Sequence, residues 1–325
     1  MDRRKFICTL VGGIAAGPQA AFAQPAKLYR IGFLSLTAFG DATLAGVLLA
    51  ELRTRGYVVG RNIAFEERVA DSKADRLAAL AAELVRLDVD MIVAGPAVAI
   101  RAAHDATTTI PIVMAFSADD PVKSGFVASL ARPGGNVTGV TALARDLAPK
   151  WTELLREAVP GMTRLAVMTN PARPEHAEYV RMMTAARPVG LQLQTFEAQG
   201  PGQYESAFAA MTNERAEGVV ILGDVMFTRD SRQLAALALS HRLPSIYLFR
   251  AFTLAGGLMT YGPDEAQLLS LAGEFIDKIL QGANPAELPV QQPTMFKLAL
   301  NMKTANALHL AIPQSLRLRA QEVVE

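Results

Sequence analysis

The chain has 325 residues, 51% of them apolar and 19% charged, with a formal net charge of +1. That length suits about two domains, and the apolar content suffices for well-buried cores. A charge so near neutrality gives no electrostatic footprint for nucleic acid or for a charged membrane surface.

The first element is not structural. Arg3, Arg4 and Lys5 precede an apolar run rich in small residues from Phe6 to Ala16, and the segment closes on Ala21-Phe22-Ala23 before Gln24. A basic start, a short apolar stretch and an A-x-A exit describe a cleavable secretory signal over residues 1–23, and the run is too short to span a bilayer. Arg3-Arg4 followed by Lys5-Phe6-Ile7 fits a twin-arginine export route, with the Sec route also open. The expected location is periplasmic. The signal carries two net positive charges, so the chain from Gln24 carries about −1, and it contains no long apolar span. Cys8 is the one cysteine. It lies inside the signal near the start of the apolar run, where it does not fit a lipid-anchored cysteine. The exported chain therefore has neither a disulfide framework nor a cysteine nucleophile.

From there, short β-rich runs alternate with amphipathic helices. A strand is expected over Tyr29–Leu34 ending at Ser35, a helix over about Asp41–Arg55 stopped by Gly56, and a strand over Asn62–Glu67. A helix over Lys73–Leu87 carries Leu77, Leu80, Leu84 and Leu87 on one face. A strand over Asp90–Ala94 breaks at Gly95-Pro96, a helix runs on to about Asp105, and a strand covers Ile110–Phe116. A short helix over Lys123–Leu130 precedes the turn cluster Arg132-Pro133-Gly134-Gly135-Asn136.

The pattern then restarts. Strands are expected at Asn136–Val140, Arg164–Thr169, Leu191–Phe196, Gly218–Leu222 and Pro244–Leu248. Between them come helices at Leu147–Val159, Glu175–Arg187, Gln203–Asn213 and about Arg229–His241. Toward the end, Leu258–Tyr261 reads as a strand, Asp264–Leu280 as a helix, Leu288–Pro293 as extended chain, and Lys297–Asn301 as a final strand before a short helix. Repeated β–α alternation predicts an α/β fold of two doubly wound parallel-sheet (Rossmann-like) lobes, one on each side of the Pro-Gly cluster.

In open α/β sheets, ligands bind beyond the carboxyl ends of the strands. The loops that end strands here are 35–40, 95–98, 117–121, 170–174, 224–227 and 248–252. Ser35, Thr37 and Ser117 offer hydroxyls. Backbone N–H groups after Gly95-Pro96, from Ala97 on, open a helix and suit a carboxylate. Asp120, Asn170 and Asp224 can hold an amine or a hydroxyl, and Phe39, Phe116, Phe227, Phe249 and Tyr261 can flank an apolar body. Several have a plainer reading. Asp119 or Asp120 before Pro121, and Asp224 at a strand end, are natural helix caps, Asn170-Pro171 is a common turn pair, and Phe116 suits the core.

Catalytic signatures are missing. There is no G-x-S-x-G elbow, H-E-x-x-H pair or phosphate-binding glycine loop, and no G-x-G-x-x-G follows the first strand. His104, His176, His241 and His309 form no pair at metal-ligand spacing. A binding protein rather than an enzyme is expected, with neither metal nor nucleotide cofactor.

The local sequence narrows this reading. Gly95-Pro96-Ala97, Ile110-Pro111-Ile112-Val113, Asp120-Pro121-Val122 with Gly125, and Pro133-Gly134-Gly135-Asn136-Val137-Thr138-Gly139 resemble the ABC transporter substrate-binding family that includes the tryptophan-binding TrpX-like proteins, of type I periplasmic binding protein fold. Leu298-Ala299-Leu300-Asn301, Ala305 and Ala311-Ile312-Pro313 resemble its tail. The resemblance implies two lobes hinged by three crossings and closing on a small ligand. On that pattern, 24–140 with about 258–290 make lobe 1, and 141–257 with about 291–325 make lobe 2. It also implies a monomer that delivers its ligand to an inner-membrane permease with a cytoplasmic ATPase. In amino-acid-binding members, the positions matching Ser35, Gly95-Pro96-Ala97, Ser117, Asp120, Asn170 and Asp224 hold the carboxylate and amine. Pro96 stands where relatives often carry threonine, and Thr169 where they commonly carry tyrosine. Both weigh against tryptophan itself and leave another small organic anion or aromatic compound open. A sensor presenting its ligand to a membrane receptor has the same sequence features. A secreted α/β enzyme using Asp120 or Asp224 is the more distant alternative, since no paired base accompanies either residue.

Overall fold

The computed structural model describes residues 27–37, 44–115 and 117–325. The export signal, Phe39 and Phe116 lie outside the described residues.

The first lobe is built from β1 (Tyr29–Ser35), α1 (Leu44–Thr54), β2 (Ile63–Val69), α2 (Leu77–Arg86), β3 (Met91–Gly95), α3 (Ala97–Ala106), β4 (Ile112–Met114) and β5 (Val137–Gly139). Its five strands are parallel in the order β2-β1-β3-β4-β5. β3, with every residue buried, is a central strand covered on both faces. Helices α2 and α3 cover one face through Leu77, Leu80, Leu84, Ala99 and Ile100.

The second lobe starts with α4 (Ala148–Ala158), β6 (Arg164–Thr169), α5 (His176–Ala186), β7 (Gln192–Glu197), α6 (Pro201–Asn213), β8 (Val219–Ile221), α7 (Val225–Arg229), α8 (Ser231–Ser240), β9 (Ser245–Tyr247), α9 (Arg250–Leu254) and β10 (Met259–Pro263). Helix α10 (Glu265–Leu280) follows, then β11 (Phe296–Asn301), α11 (Met302–Ala307), α12 (Gln314–Arg319) and β12 (Glu322–Val324). The seven-stranded sheet runs β12-β11-β10-β9-β8-β6-β7, with β11 antiparallel to β10. Read from β7, its parallel part repeats the order of the first lobe. Each lobe is thus a doubly wound unit whose strand order reverses at one point, beside β1 and β3 in the first lobe and beside β6 and β8 in the second.

The chain passes between the lobes three times, and the three passages lie side by side. The first leaves β5, and Val140 bridges to Gln291 on the third. Gln291 N–H donates to Gly139 C=O (2.9 Å), and Thr141 N–H donates to Gln291 C=O (3.0 Å). The second passage is at Asp264, whose N–H donates to Met295 on the third (3.0 Å). Asp264 also caps α10 by accepting from Ala266 N–H. Helix α10 then packs on the first lobe, where Leu268, Leu269, Phe275 and Ile276 meet Ile31, Phe33, Leu48 and Leu52.

Three expectations need correction. The return to the first lobe comes at Asp264 rather than near 258, because β10 pairs with β9 and belongs to the second sheet. The expected helix over Lys123–Leu130 is a run of turns. Gly125 sits at φ +73°, and both Phe126 and Val127 N–H groups turn back onto Pro121 C=O, which breaks a helical ladder. The helix expected over Arg229–His241 is two, α7 and α8, divided at Asp230. Asp224 caps α7 early, and Asp230 is held by Arg229 and Tyr204. The short α9, α12 and β12 were not anticipated, since three to six residues are too few to display a period.

Candidate functional site

Both reversal points put loops at the carboxyl ends of their strands, and the two sets face each other across the junction of the lobes. In the first lobe, β1 ends at Ser35, whose Oγ donates to Thr37 C=O (2.9 Å). The Thr37 Oγ1 is buried with no hydrogen-bond partner among the described residues. β3 ends at Gly95, and Pro96 is the N-cap of α3. After β4, Ser117 Oγ accepts from Asp119 N–H (3.3 Å), and Thr141 Oγ1 donates to Asp119 C=O (2.7 Å), which fixes that loop to the first passage.

In the second lobe, the loops after β6 and β8 are joined directly. Asn170 Nδ2 donates to Asp224 Oδ2 (3.1 Å), while Asp224 Oδ1 accepts from Met226 N–H (2.6 Å) and Phe227 N–H (3.3 Å). Behind them, His176 is 2% exposed. Its Nδ1 accepts from Asn170 N–H (3.0 Å), and its Nε2 lies 3.2 Å from Gly223 C=O. That arrangement needs the neutral ring with its proton on Nε2. Burial holds the His176 pKa below its ordinary value, against the opposing pull of the Gly223 carbonyl.

The two lobes meet at Asp119 and Arg173. One guanidinium nitrogen, Nη2, donates to both carboxylate oxygens of Asp119 at 2.9 and 2.8 Å. The Asp119 side chain is 7% exposed and that of Arg173 17%. Burial pushes the Asp119 carboxyl up from its ordinary range, ahead of the opposing pull of Arg173. Two lesser contacts cross beside the pair. Lys123 Nζ lies 2.9 Å from Glu178 Oε2, and Tyr179 Oη donates to Ala118 C=O at 3.4 Å. Two adjoining cavities open along this junction. One of about 340 Å³ is lined by Asp119, Asp120, Arg145, Glu175 and Tyr179, and one of about 480 Å³ by Ala97, Val98, Phe126, Asp119 and Arg173 among others.

The expected site residues divide into three groups. Ala97 and Asp120 line these cavities. Ser35, Gly95, Pro96, Ser117, Asn170 and Asp224 form the loop scaffold beside them, and Asp224 is a helix cap as its plainer reading held. Asp120 caps a turn through Val122 and Lys123 N–H groups and pairs with Arg145 at 2.7 Å, which together hold its carboxyl below the usual range despite partial burial. The aromatic group stands apart. Phe227 is fully buried in the core, edge-on to Tyr204 at 5.9 Å, so its ring cannot flank a ligand. Phe249 packs against the second-lobe core, and Tyr261 stacks on Phe296 at 6.1 Å.

Sequence reasoning left open which of Asp119 and Asp120 caps and which serves the site, and it passed over Arg173. A signal was available: of two adjacent aspartates before a proline only one can cap, and the other must place its charge elsewhere. Arg173 is one of two cations in the strand-end loops, with Arg250. Among the described residues, no three His, Cys, Asp or Glu side chains are placed to hold a metal ion, and no helix is long and apolar enough to cross a membrane.

The family model described as ABC transporter substrate binding protein matches residues 38–324. The chain belongs to that family. Its relatives include a tyrosine-binding protein of Clostridioides difficile (strain R20291), 24% identical over 261 residues that make up 80% of this chain and 74% of that one. Among solved structures, the ABC domain from Streptococcus pneumonia in complex with L-Trp matches with a TM-score of 0.83 at 24% identity, over 92% of this chain and 100% of that one. A conserved domain protein from Vibrio cholerae matches at 0.84 and 24%, over 91% and 100%. The ligand-free, open structure of a substrate binding protein with adhesive properties from Clostridium difficile matches at 0.70 and 21%, over 91% and 99%. These likenesses carry the fold, that of the type I periplasmic binding proteins, and the family is one of solute-binding proteins.

Proposed function

We propose that this substrate-binding protein is the periplasmic receptor of an ABC importer and captures an amino acid or an aromatic or carboxylate compound between its lobes. Residues 1–23 direct export by the Tat or Sec route and are removed. The loaded monomer then delivers its ligand to an inner-membrane permease with its ATPase. The observation that carries this reading is the polar junction itself, where strand-end loops of two doubly wound lobes face each other and the buried Asp119–Arg173 pair spans the gap. The ligands named for the relatives from Clostridioides difficile and Streptococcus pneumonia, tyrosine and L-Trp, support the ligand class.

The mechanism is a population shift. A ligand touching both lobes favours their closed arrangement, by as much as its contacts differ between the two states. The three side-by-side passages supply the hinge. The test is a thermal-shift screen of residues 24–325 against amino acids, aromatic carboxylates, nucleosides, purines and short peptides. A ligand at ~100 times its Kd stabilises the folded state by about 2.7 kcal/mol. A rise in Tm confined to amino acids or aromatic carboxylates, and weakened by Ser117→Ala, supports the proposal. A rise confined to another class, or none, counts against it.

A further inference from the structure

We infer that Asp119 and Arg173 form the charge-reading clamp of the cleft, Arg173 taking the carboxylate and Asp119 the ammonium group of an α-amino acid with an apolar side chain. This rests on the proposed receptor function and assigns its ligand contacts to two residues, one on each lobe.

The hydrogen-bond inventory of the pair leaves room for a ligand. Arg173 spends Nη2 on Asp119 and Nε on Glu175 (3.3 Å). Its Nη1 donates to no group among the described residues, although the side chain borders the larger cavity. A guanidinium suits a carboxylate because its donors lie in one plane at the spacing of two oxygens. Asp119 accepts through its side chain from Arg173 alone, while a carboxylate has roughly four lone-pair directions.

The surroundings select against ligands with one charge. A lone carboxylate approaching Arg173 meets Asp119 and Glu175, both of which line the same cavity. A lone amine approaching Asp119 meets Arg173 and Arg101. A zwitterion brings one charge of each sign and leaves the clamp balanced, so no buried charge is left uncompensated. Besides the polar Arg101, Asp105 and Ser124, the larger cavity has an apolar side along Leu77, Ala78, Ala97, Val98 and Phe126, a wall for an aliphatic or aromatic side chain. Since Asp119 belongs to the first lobe and Arg173 to the second, a ligand held by both is held by both lobes. That is the differential contact closure requires.

The test is isothermal titration calorimetry of residues 24–325 with L-phenylalanine, L-tyrosine and L-leucine. Each is paired with the amine lacking its carboxylate and the acid lacking its ammonium group. The expected result is that an amino acid binds and that either truncation costs about 10- to 100-fold in affinity, as loss of one charge-assisted hydrogen-bonded partner does. Arg173→Gln should remove the gap between amino acid and amine, and Asp119→Asn the gap between amino acid and deaminated acid. Arg173→Lys, which keeps the charge, should retain much of the first gap and covers the case in which the glutamine variant misfolds. A pair that only bridged the lobes would weaken all three compounds of a set alike. Amino-acid binding with both gaps intact in folded variants overturns the clamp and leaves the receptor reading standing. If these sets do not bind but another compound of the wider screen does, the clamp is overturned, and if nothing in that screen binds, the receptor reading falls with it.

Discussion

Replacing Asp119 by alanine tests whether its pairing with Arg173 holds the lobes together or holds the fold together. Removing one member of a buried pair leaves the other uncompensated, at a cost of about 3–5 kcal/mol. Arg173 keeps 17% of its side chain exposed, which places the loss toward the lower end. The neighbouring Lys123–Glu178 contact is too exposed to compensate. In a hinged protein the orphaned guanidinium has an escape: the lobes part and water reaches it. At ~1.4 kcal/mol per decade, 3 kcal/mol moves the closed-to-open ratio by roughly 100-fold. The loss should therefore appear as opening, with Tm within ~2 °C of the parent. Dyes on Val59→Cys and Val189→Cys, exposed positions on opposite lobes, report the opening by energy transfer, and small-angle scattering reports it as a larger radius of gyration. An unchanged radius and transfer efficiency in Asp119→Ala, with Tm lower by ~6 °C or more, would refute the reasoning and make the pair part of the fold.

Two further outcomes follow from the packing and the buried ring. In Gly262→Ala, a Cβ would lie 2.1 Å from the carbonyl oxygen of Leu248, just past the end of β9, so the backbone must shift. We expect a loss of about 3 kcal/mol, or roughly 6 °C in Tm, while Gly202→Ala in α6, with nothing within 4 Å, stays within about 1 kcal/mol of the parent by thermal denaturation. His176 has a folded-state pKa below its ordinary 6.5, so the unfolded chain takes up the proton first and stability falls as pH drops below about 6.5. Arg173, Asp224, Glu175 and the Tyr179 ring face it. Urea unfolding at pH 7.5 and 5.5 should show that loss in the parent and a smaller one in His176→Gln, which keeps a donor toward Gly223 and cannot take a charge.

The two-lobe α/β architecture was legible because its signals are local. Arg164–Thr169 is a strand with the bounds expected, and the leucine face of α2 is the face that packs. The order of strands within a sheet depends on contacts between distant segments, and periodicity does not contain it. For the same reason Leu258–Tyr261 reads as a strand without revealing which lobe it joins. The strand-end loops were legible from a rule about parallel sheets. Which side chain in a loop caps a helix and which faces the cleft was not, because an aspartate at a strand end suits both. Asp119 and Arg173 lie 54 residues apart on different lobes, and only the docking of one lobe on the other brings them within 3 Å.

The most direct measurement is a crystal structure of residues 24–325 grown with the compound that gives the largest thermal shift. The account predicts one molecule of it between the lobes, its charged groups on Arg173 and Asp119 and its apolar body against Val98 and Phe126. Electron density for the compound on the outer face of a single lobe, with the junction of the lobes unchanged, would contradict it.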